Sequence, residues 1–253
     1  MRLRFLLLFT VLFYRSQLLS AQDIDLLFKE ADNLERVQKE ADALEKYKQI
    51  LVLEPANIKA LVKAAELAVS NGSRSPKSND TRLFYESALA YAKRAIAADA
   101  NNADANYAMA MACGRLTDVE TENKRIVALV KDVKLYADKA VSVNPNHAKG
   151  NYTLGKWHYE MVTLSGFKKA AVKLFYGGLP DGDLDKAILY MEKCKSLAPY
   201  FVANQLDLAK AYKENRQPAK AIELLEKVVK LPTRTADDAA LKTAAANLLA
   251  SLQ

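Results

Sequence analysis

Residues 199–232 read PYFVANQLDLAKAYKENRQPAKAIELLEKVVKLP. Apolar residues recur at helical spacing on both sides of a polar break, which predicts helices at 201–214 and 218–230 joined by a short turn. Each helix carries a small side chain, Ala209 past the middle of the first and Ala221 in the first turn of the second. Small side chains at a crossing let two helix axes approach to about 8–10 Å. The stretch therefore predicts a closely packed helical hairpin.

Similar turns end other helical patterns earlier in the chain. They read LVLEPAN at 51–57, IAADANN at 96–102, VSVNPNH at 141–147 and SLAPYF at 196–201. Their equivalent positions are Pro55, Ala100, Pro145 and Pro199, and Pro232 ends the last pattern. The first two intervals are identical, the third is longer and the last is the shortest. Proline suits such places because it cannot continue a helix. The spacing indicates an internal repeat.

Small residues also recur at one distance before these turns: Ala187, Ala88 and Ala43 are equivalent, whereas the segment with Val133, Ala137 and Ala140 fits less well. This pattern resembles the tetratricopeptide repeat (TPR), a helix-turn-helix unit of about 34 residues, here extended by insertions in the longer intervals. The resemblance covers roughly residues 24–232. It implies an all-α fold, a TPR-like α-solenoid of about five helix-turn-helix units.

The predicted pairs are 24–37 with 39–53, 57–70 with 82–98, 103–116 with 124–143, 147–162 with 183–197, and 201–214 with 218–230. A last helix at 235–250 opens on Thr235 and carries two acids in its first turn, where acids are favourable. We expect this helix to cap the open end of the array.

A narrower resemblance covers about residues 100–250. Its motifs are Asn144-Pro145-Asn146, Leu154-Gly155-Lys156-Trp157-His158-Tyr159, Leu174-Phe175 before a Gly/Pro turn, Asp185-Lys186-Ala187 and Leu197-Ala198-Pro199-Tyr200-Phe201. Together they are similar to the regulator of microtubule dynamics family of TPR-like proteins. In animals that family is linked to microtubules and mitochondria, so the resemblance implies cytoskeletal polymer as an alternative partner. A shared fold does not by itself imply a shared partner.

The segment 1–21 has the order of a secretory signal peptide. Basic residues at 1–4 precede the apolar run FLLLFTVLF at 5–13, and a small residue, Ala21, precedes Gln22. This predicts export to the periplasm or the cell exterior, with cleavage after Ala21 and a mature domain at 22–253. An uncleaved N-terminal anchor and a mitochondrial presequence are the alternatives.

The remaining composition is typical of a globular helical protein. Hydrophobic residues make up 51% and charged residues 26%, with only 8 glycines and 7 prolines. The formal charge of +7 includes three arginines within the segment 1–21, which has no acid, so the segment 22–253 carries a net charge of +4. This mild, dispersed excess lacks the concentrated basic surface that nucleic-acid binding requires.

Two segments interrupt the repeats. The stretch at 70–81 (SNGSRSPKSNDT) is polar and predicts a mobile loop. The insertion at 163–182 (TLSGFKKAAVKLFYGGLPDG) predicts an amphipathic helix, which either folds over the array or docks a partner or a membrane surface. Its docking residues would be Phe167, Lys168, Lys169, Lys173 and Phe175.

The first helices of TPR units line a concave groove, and on repeat geometry the partner-binding candidates are Asn106, Lys149, Tyr152, Lys156, Tyr159, Lys210 and Lys213. Amides, tyrosines and lysines would suit an extended acidic segment or a free carboxylate. The alternative is a solvated face. Trp157 is expected in the core, because it lies in an apolar helix.

No residue pattern predicts catalysis. The chain has no HExxH, GxSxG, P-loop or GxGxxG motif, and Cys113, Cys194, His147 and His158 have no metal-ligand spacing. The two cysteines are expected to be separate buried thiols, with a disulfide between them as the alternative. The sequence thus predicts a non-enzymatic adaptor or scaffold without cofactor or metal, which binds a protein or peptide of unknown identity.

Overall fold

The computed structural model describes residues 23–166 and 177–253, which are mostly helical and contain no β-strand. The helices are α1 (23–36), α2 (Glu40–Leu53), α3 (Ile58–Ser73), α4 (Ser78–Ala98), α5 (Ala103–Thr117), α6 (Asn123–Val143), α7 (Ala148–Thr163), α8 (Leu184–Leu197), α9 (Val202–Glu214), α10 (Pro218–Val228) and α11 (Asp238–Ala250). No helix within these ranges is both long and apolar enough to cross a bilayer.

The helices pair into hairpins and stack in chain order. From α2 onwards each helix packs against the next, and the first helices α3, α5, α7 and α9 also contact one another in sequence. The helix α11 packs on α9 and α10, where Ala245 joins the C-terminal hydrophobic cluster. The predicted all-α solenoid of about five units with a capping helix is confirmed.

The small residues lie where each hairpin closes. Ala65, Ala110, Gly155 and Ala209 recur at the same intervals as the turns, and all four are buried. A Cβ atom on Gly155 would lie 2.9 Å from the carbonyl oxygen of Ala187 and 2.8 Å from Cγ of Met191 on α8. Helices α7 and α8 therefore approach too closely for any side chain at that position.

The predicted loop at 70–81 is wrong in extent, since α3 continues to Ser73 and α4 begins at Ser78. The extra residues of this unit are wound into helix, and α4 is 21 residues long. Gly72 makes this possible, because a Cβ there would lie 2.8 Å from Cβ of Phe84 on α4. Arg74, in the short turn that remains, pairs with Glu40 on α2 and with Asp237 before α11, the latter at 2.8 Å. The array therefore curves far enough to bring its cap beside its second unit.

Part of the insertion at 163–182 and all of the segment 1–21 lie outside the described residues. The predicted docking residues Phe167, Lys168, Lys169, Lys173 and Phe175 belong to that part, so their role stays a prediction. The described return segment begins with Gly177 and Gly178 at φ of 75° and 85°, in the left-handed region. It then packs against α7, where a Cβ on Gly182 would meet Cβ of Met161 at 2.6 Å.

The final helix begins at Asp238, a little later than predicted. The buried carboxylate of Asp238 accepts hydrogen bonds from the backbone N–H groups of Arg234 and Thr235, at 2.7 and 2.9 Å, and from the Thr235 hydroxyl. These bonds hold 234–237 as a turn. Cys113 and Cys194 are both buried and unpaired, as predicted, and burial raises the pKa of each thiol to about 12.

Candidate functional site

Repeated side-chain caps fix the first helices of the central units. The side chains of Asn57 and Asn102 accept hydrogen bonds from the backbone N–H groups of Ala60 and Ala105, each at 3.0 Å. His147, which replaces asparagine at the equivalent position, accepts from the backbone N–H of Gly150 through Nδ1 at 2.8 Å. Such caps satisfy donors that a helix start leaves unpaired. Helices α3, α5 and α7 therefore begin at equivalent positions of their repeats.

A second repeated device locks the turns, and it corrects the prediction for Asn106. Asn106 is fully buried, and its Nδ2 donates to the carbonyl oxygens of Ala100 and Asn102 at 3.0 and 2.7 Å. Asn151 does the same one unit later, and Gln205 donates to the carbonyl oxygen of Pro199. Asn106 therefore does not face the groove, because both amide hydrogens are needed to hold its turn.

We define the groove as the concave surface of α3, α5, α7 and α9. Most of its side chains are partly or fully exposed, whereas Tyr107 and Asp207 are buried. They are Lys59, Lys63 and Glu66 on α3; Tyr107, Met111, Arg115 and Asp118 on or just after α5; Lys149, Tyr152, Thr153, Lys156 and Glu160 on α7; and Asp207, Lys210 and Lys213 on α9. The surface combines both charges with aromatic rings. It contains five of the seven predicted partner-binding residues.

One charge cluster crosses the groove at Glu66. This carboxylate pairs with Lys149 on α7 and lies 3.9 Å from Lys63 on its own helix. Burial alone would raise the pKa of Glu66, but the two ammonium groups hold it below its usual value. The ammonium of Lys149 also lies 5.7 Å from the centre of the Tyr107 ring. The cluster links the second and fourth units across the concave face.

The second cluster centres on Asp207. Its carboxylate accepts a hydrogen bond from the Tyr152 hydroxyl at 2.9 Å and pairs with Lys156 at 3.3 Å and Lys210 at 2.8 Å. The Tyr152 ring packs edge-on against Phe201, with centroids 4.9 Å apart. Burial would raise the pKa of Asp207, but the two lysines lower it below its usual value. Three of the predicted residues thus meet at one acid.

Two further predictions fare differently. The ring of Tyr159 packs against the C-terminal hydrophobic cluster, so it contributes to the core more than to the groove. Lys213 is exposed near the end of α9. The sequence reasoning missed Glu66, Asp207 and Arg115. The repeat register alone could have found them, because their spacing from the turns places each on the same helix face as the predicted lysines.

A pocket opens into the groove between α5, α6 and α7. Its volume is about 150 Å³. The buried part is formed by Val133, Trp157 and Met161, and the mouth by exposed charged side chains that include Arg115 and Glu160. The Trp157 Nε1–H donates to the carbonyl oxygen of Val130 at 3.0 Å, which fixes the indole as a wall. Trp157 is thus a core residue, as predicted, and also lines a cavity.

Acid is expected to weaken the fold through Asp207. A folded-state pKa below the unfolded value of about 3.9 gives stability that is present above that value and lost as pH falls through the folded pKa. Urea unfolding measured from neutral pH into the acid range should show this loss below about pH 4. Asp207→Asn should be less stable at neutral pH and should lose less over the same range. Equal pH slopes for both proteins would contradict the assignment of this carboxylate.

Glu160 acts in the opposite sense. Its side chain is 55% exposed, but desolvation by the surrounding groove side chains, with Asp207 and Asp118 nearby, raises its pKa despite the adjacent Lys156. A raised pKa means that stability is lost as pH rises through the folded value. Glu160→Gln is therefore the matched control for Asp207→Asn, since it should steepen the acid loss.

Comparison with known proteins gives a family match over nearly all described residues. The model of the family described as regulator of microtubule dynamics protein 1-3 matches residues 27–253. Regulator of microtubule dynamics protein 1 of Homo sapiens is 28% identical over 72% of this chain and 58% of its own length. Regulator of microtubule dynamics protein 3 of Xenopus laevis is 31% identical over 54% of this chain and 30% of its own length. The chain thus spans a little over half the length of the regulator of microtubule dynamics protein 1 relatives that it matches.

Solved structures agree on the fold. A thermophilic TPR protein of Thermus thermophilus superimposes with a TM-score of 0.63 at 16% identity, covering 90% of this chain and 99% of its own. The Pseudomonas aeruginosa pilF protein superimposes with a TM-score of 0.53 at 15% identity, covering 90% of its own chain and 92% of this one. At such identities these similarities show the fold alone.

Proposed function

The chain belongs to the regulator of microtubule dynamics protein 1-3 family, and on this premise we propose that it is a non-enzymatic adaptor whose concave groove binds an acidic protein segment. A TPR-like solenoid is a protein-interaction scaffold by architecture. The groove of this chain offers ready-made contacts on rigid helices. A preorganised surface binds at little ordering cost.

One observation supports an acidic ligand above all. At the Glu66 and Asp207 clusters the lysines are more exposed than the central acids: the side chains of Lys149, Lys156 and Lys210 are 46%, 37% and 41% exposed, but those of Glu66 and Asp207 only 16% and 10%. These two carboxylates therefore lie beneath the ammonium groups. The exposed acids of the groove, Glu160 and Asp118, lie at the pocket mouth. Over the Glu66 and Asp207 clusters an incoming chain meets ammonium groups and the ring of Tyr152, which favour carboxylates and extended backbone.

Charge reversal at Lys156 and Lys210 tests this proposal. The double variant Lys156→Glu/Lys210→Glu should capture at least about ten times less of the partner from extracts of the source cells, since attraction is replaced by repulsion at the centre of the groove. The measurement is affinity capture on the immobilised full-length chain with quantitative mass spectrometry. The partner is defined as the protein enriched by the wild type over the same support without bound protein.

Two controls make the result specific. Lys124→Glu/Lys131→Glu changes the net charge equally on exposed positions of α6, away from the groove, and should retain capture. Lys156→Gln/Lys210→Gln adds no acid beside Asp207, so it keeps the fold if the reversed variant does not. Equal capture by all folded variants would show that the groove lysines are not used.

Family membership supports a second candidate, a membrane- or organelle-associated protein that contacts cytoskeletal polymer. The relatives are named as regulators of microtubule dynamics, and the net charge of +4 over the segment 22–253 would favour an acidic polymer surface. Co-sedimentation with microtubules, with and without their acidic tails, separates the candidates. Salt-sensitive, tail-dependent pelleting would support the second, and its absence the first.

Export remains part of the first proposal. The basic start, apolar run and small residue before Gln22 support a cleaved signal peptide. N-terminal sequencing of the protein from its source tests this directly. A chain that starts at Gln22 supports export, and one that retains Met1 supports an anchor or an internal location.

A further inference from the structure

We infer that the pocket between α5, α6 and α7 is a specificity pocket of the groove, which takes one phenyl-sized apolar side chain of a bound segment while Arg115 at its mouth pairs with a neighbouring carboxylate of that segment. The inference rests on the proposed groove function and names the ligand chemistry at its centre. Its basis is the volume and lining of the pocket, the missing side chain at Gly114 and the available hydrogen-bond donors of Arg115.

The size of the pocket fits an aromatic ring. A closed apolar cavity of about 150 Å³ in another protein holds benzene, and this pocket has about the same volume, although its mouth is open and polar. Its buried lining, from Val133, Trp157 and Met161, is apolar or aromatic. Met111 adds a flexible thioether that adapts to aromatic edges. Such a space favours a phenylalanine or leucine side chain over a charged one.

Gly114 lines the pocket, and its lack of a side chain leaves the pocket open. It lies inside α5, where glycine destabilises a helix relative to alanine. No close packing among the described residues requires it, because there a Cβ at this position would meet only Cγ2 of Val133, at the ordinary contact distance of 3.7 Å. By contrast, the helical Gly155 is enforced by contacts under 3.0 Å. The absent side chain at Gly114 therefore serves the space beside it.

Arg115 supplies an anion site at the mouth. Among the described residues its guanidinium donates no hydrogen bond, and its one ion pair, with Asp118, spans 3.7 Å. A charge-assisted hydrogen bond is about 2.7–2.9 Å long. Its side chain is 45% exposed, so its donors remain available for bidentate pairing with a carboxylate. The apolar pocket and this guanidinium are adjacent along one helix, which sets their ligand groups on neighbouring residues of a bound segment.

The test uses 3-phenylpropionate, which joins a phenyl ring to a carboxylate, with 3-phenylpropanol and propionate as partial probes. The reporter is the fluorescence of Trp157, because it is the one tryptophan of the chain and lines the pocket. The full-length chain should show a saturable change with 3-phenylpropionate at millimolar concentration. It should bind both partial probes at least five times more weakly.

Variants then assign the two halves of the site. Gly114→Leu should fill the pocket and abolish the response, whereas Gly114→Ala should keep its midpoint within about twofold. Arg115→Gln should weaken 3-phenylpropionate at least fivefold and leave 3-phenylpropanol unchanged. Arg115 lies at the surface, so its substitution should not disturb the fold. Arg115→Gln therefore replaces Gly114→Leu as the test if circular dichroism shows that Gly114→Leu is unfolded. A short Gly/Ser peptide with one phenylalanine beside one aspartate should compete with the probe, and its alanine version should not.

The inference is overturned if Gly114→Leu is folded and responds like the wild type, if Arg115→Gln changes neither probe, or if no saturable response occurs. Each of these results leaves the capture experiment on Lys156 and Lys210 unaffected. Conversely, the probe could bind as expected while the Lys156 and Lys210 variants capture the partner as well as the wild type does. That result would refute the proposed function but would still support the pocket as a binding site. The two failures are therefore distinguishable.

Discussion

Replacing Trp157 by alanine should lower the free energy of unfolding by about 4 kcal/mol, the usual cost of emptying a buried aromatic site. The side chain is only 2% exposed and belongs to the large hydrophobic core with Met161. Its indole N–H donates to the carbonyl oxygen of Val130 on α6, at 3.0 Å. The residue thus joins the third unit of the array to the fourth, and its loss affects both.

Trp157→Phe is the matched control. It retains a buried ring and loses the hydrogen bond and part of the volume, so we expect a loss of about 1 kcal/mol. Urea unfolding followed by circular dichroism measures both variants without a tryptophan reporter. A Trp157→Ala protein as stable as the wild type would mean that α6 and α7 do not pack as described.

Gly155→Leu should destabilise the fold by about 3 kcal/mol, near the upper end of what overpacking a core costs. The new side chain would collide with the backbone carbonyl of Ala187 and with Met191, at positions where a bare Cβ is already within 3.0 Å. Backbone atoms of a packed helix cannot move aside as a flexible side chain can. Helices α7 and α8 would have to separate, which would expose the apolar surface between them.

Gly114→Ala is the contrasting control, since it also replaces a glycine within a helix. Within 23–166 and 177–253 its new methyl group meets only Val133, at 3.7 Å, so the better helix propensity of alanine should stabilise the fold by up to about 1 kcal/mol. The opposite signs of the two glycine variants are the diagnostic result. If both glycine replacements were tolerated, the close crossing of α7 and α8 would be disproved.

The repeat register explains why so much of the fold could be predicted. The recurring turns show which helices pair. The alanines that lie at one distance before three of these turns show where the paired helices cross. Crossing geometry depends on local side-chain size, which is visible in the sequence. The fourth unit shows how well this pattern tolerates insertions. An insertion separates Gly155 from Ala187 along the chain, yet the two residues still face each other.

Other features depended on contacts that no local pattern reveals. The polar stretch at 70–81 looks like a loop, but Gly72 packs against Phe84 and Arg74 reaches Asp237, so most of it is helical. Asn106 and the groove lysines have similar polarity in the sequence. Only the tertiary structure separates them, because the asparagine points inward to its own turn while the lysines lie over Glu66 and Asp207.

The proposed function requires that the concave face is the surface that holds a partner, and site-specific photo-crosslinking tests this directly. The photoreactive residue p-benzoylphenylalanine would replace Thr153, which lines the groove pocket, or Leu135, which is exposed on α6. After irradiation in the source cells, the protein labelled at position 153 should form a covalent adduct with a distinct partner, and the one labelled at position 135 should not. Adducts from position 135 alone would contradict the account.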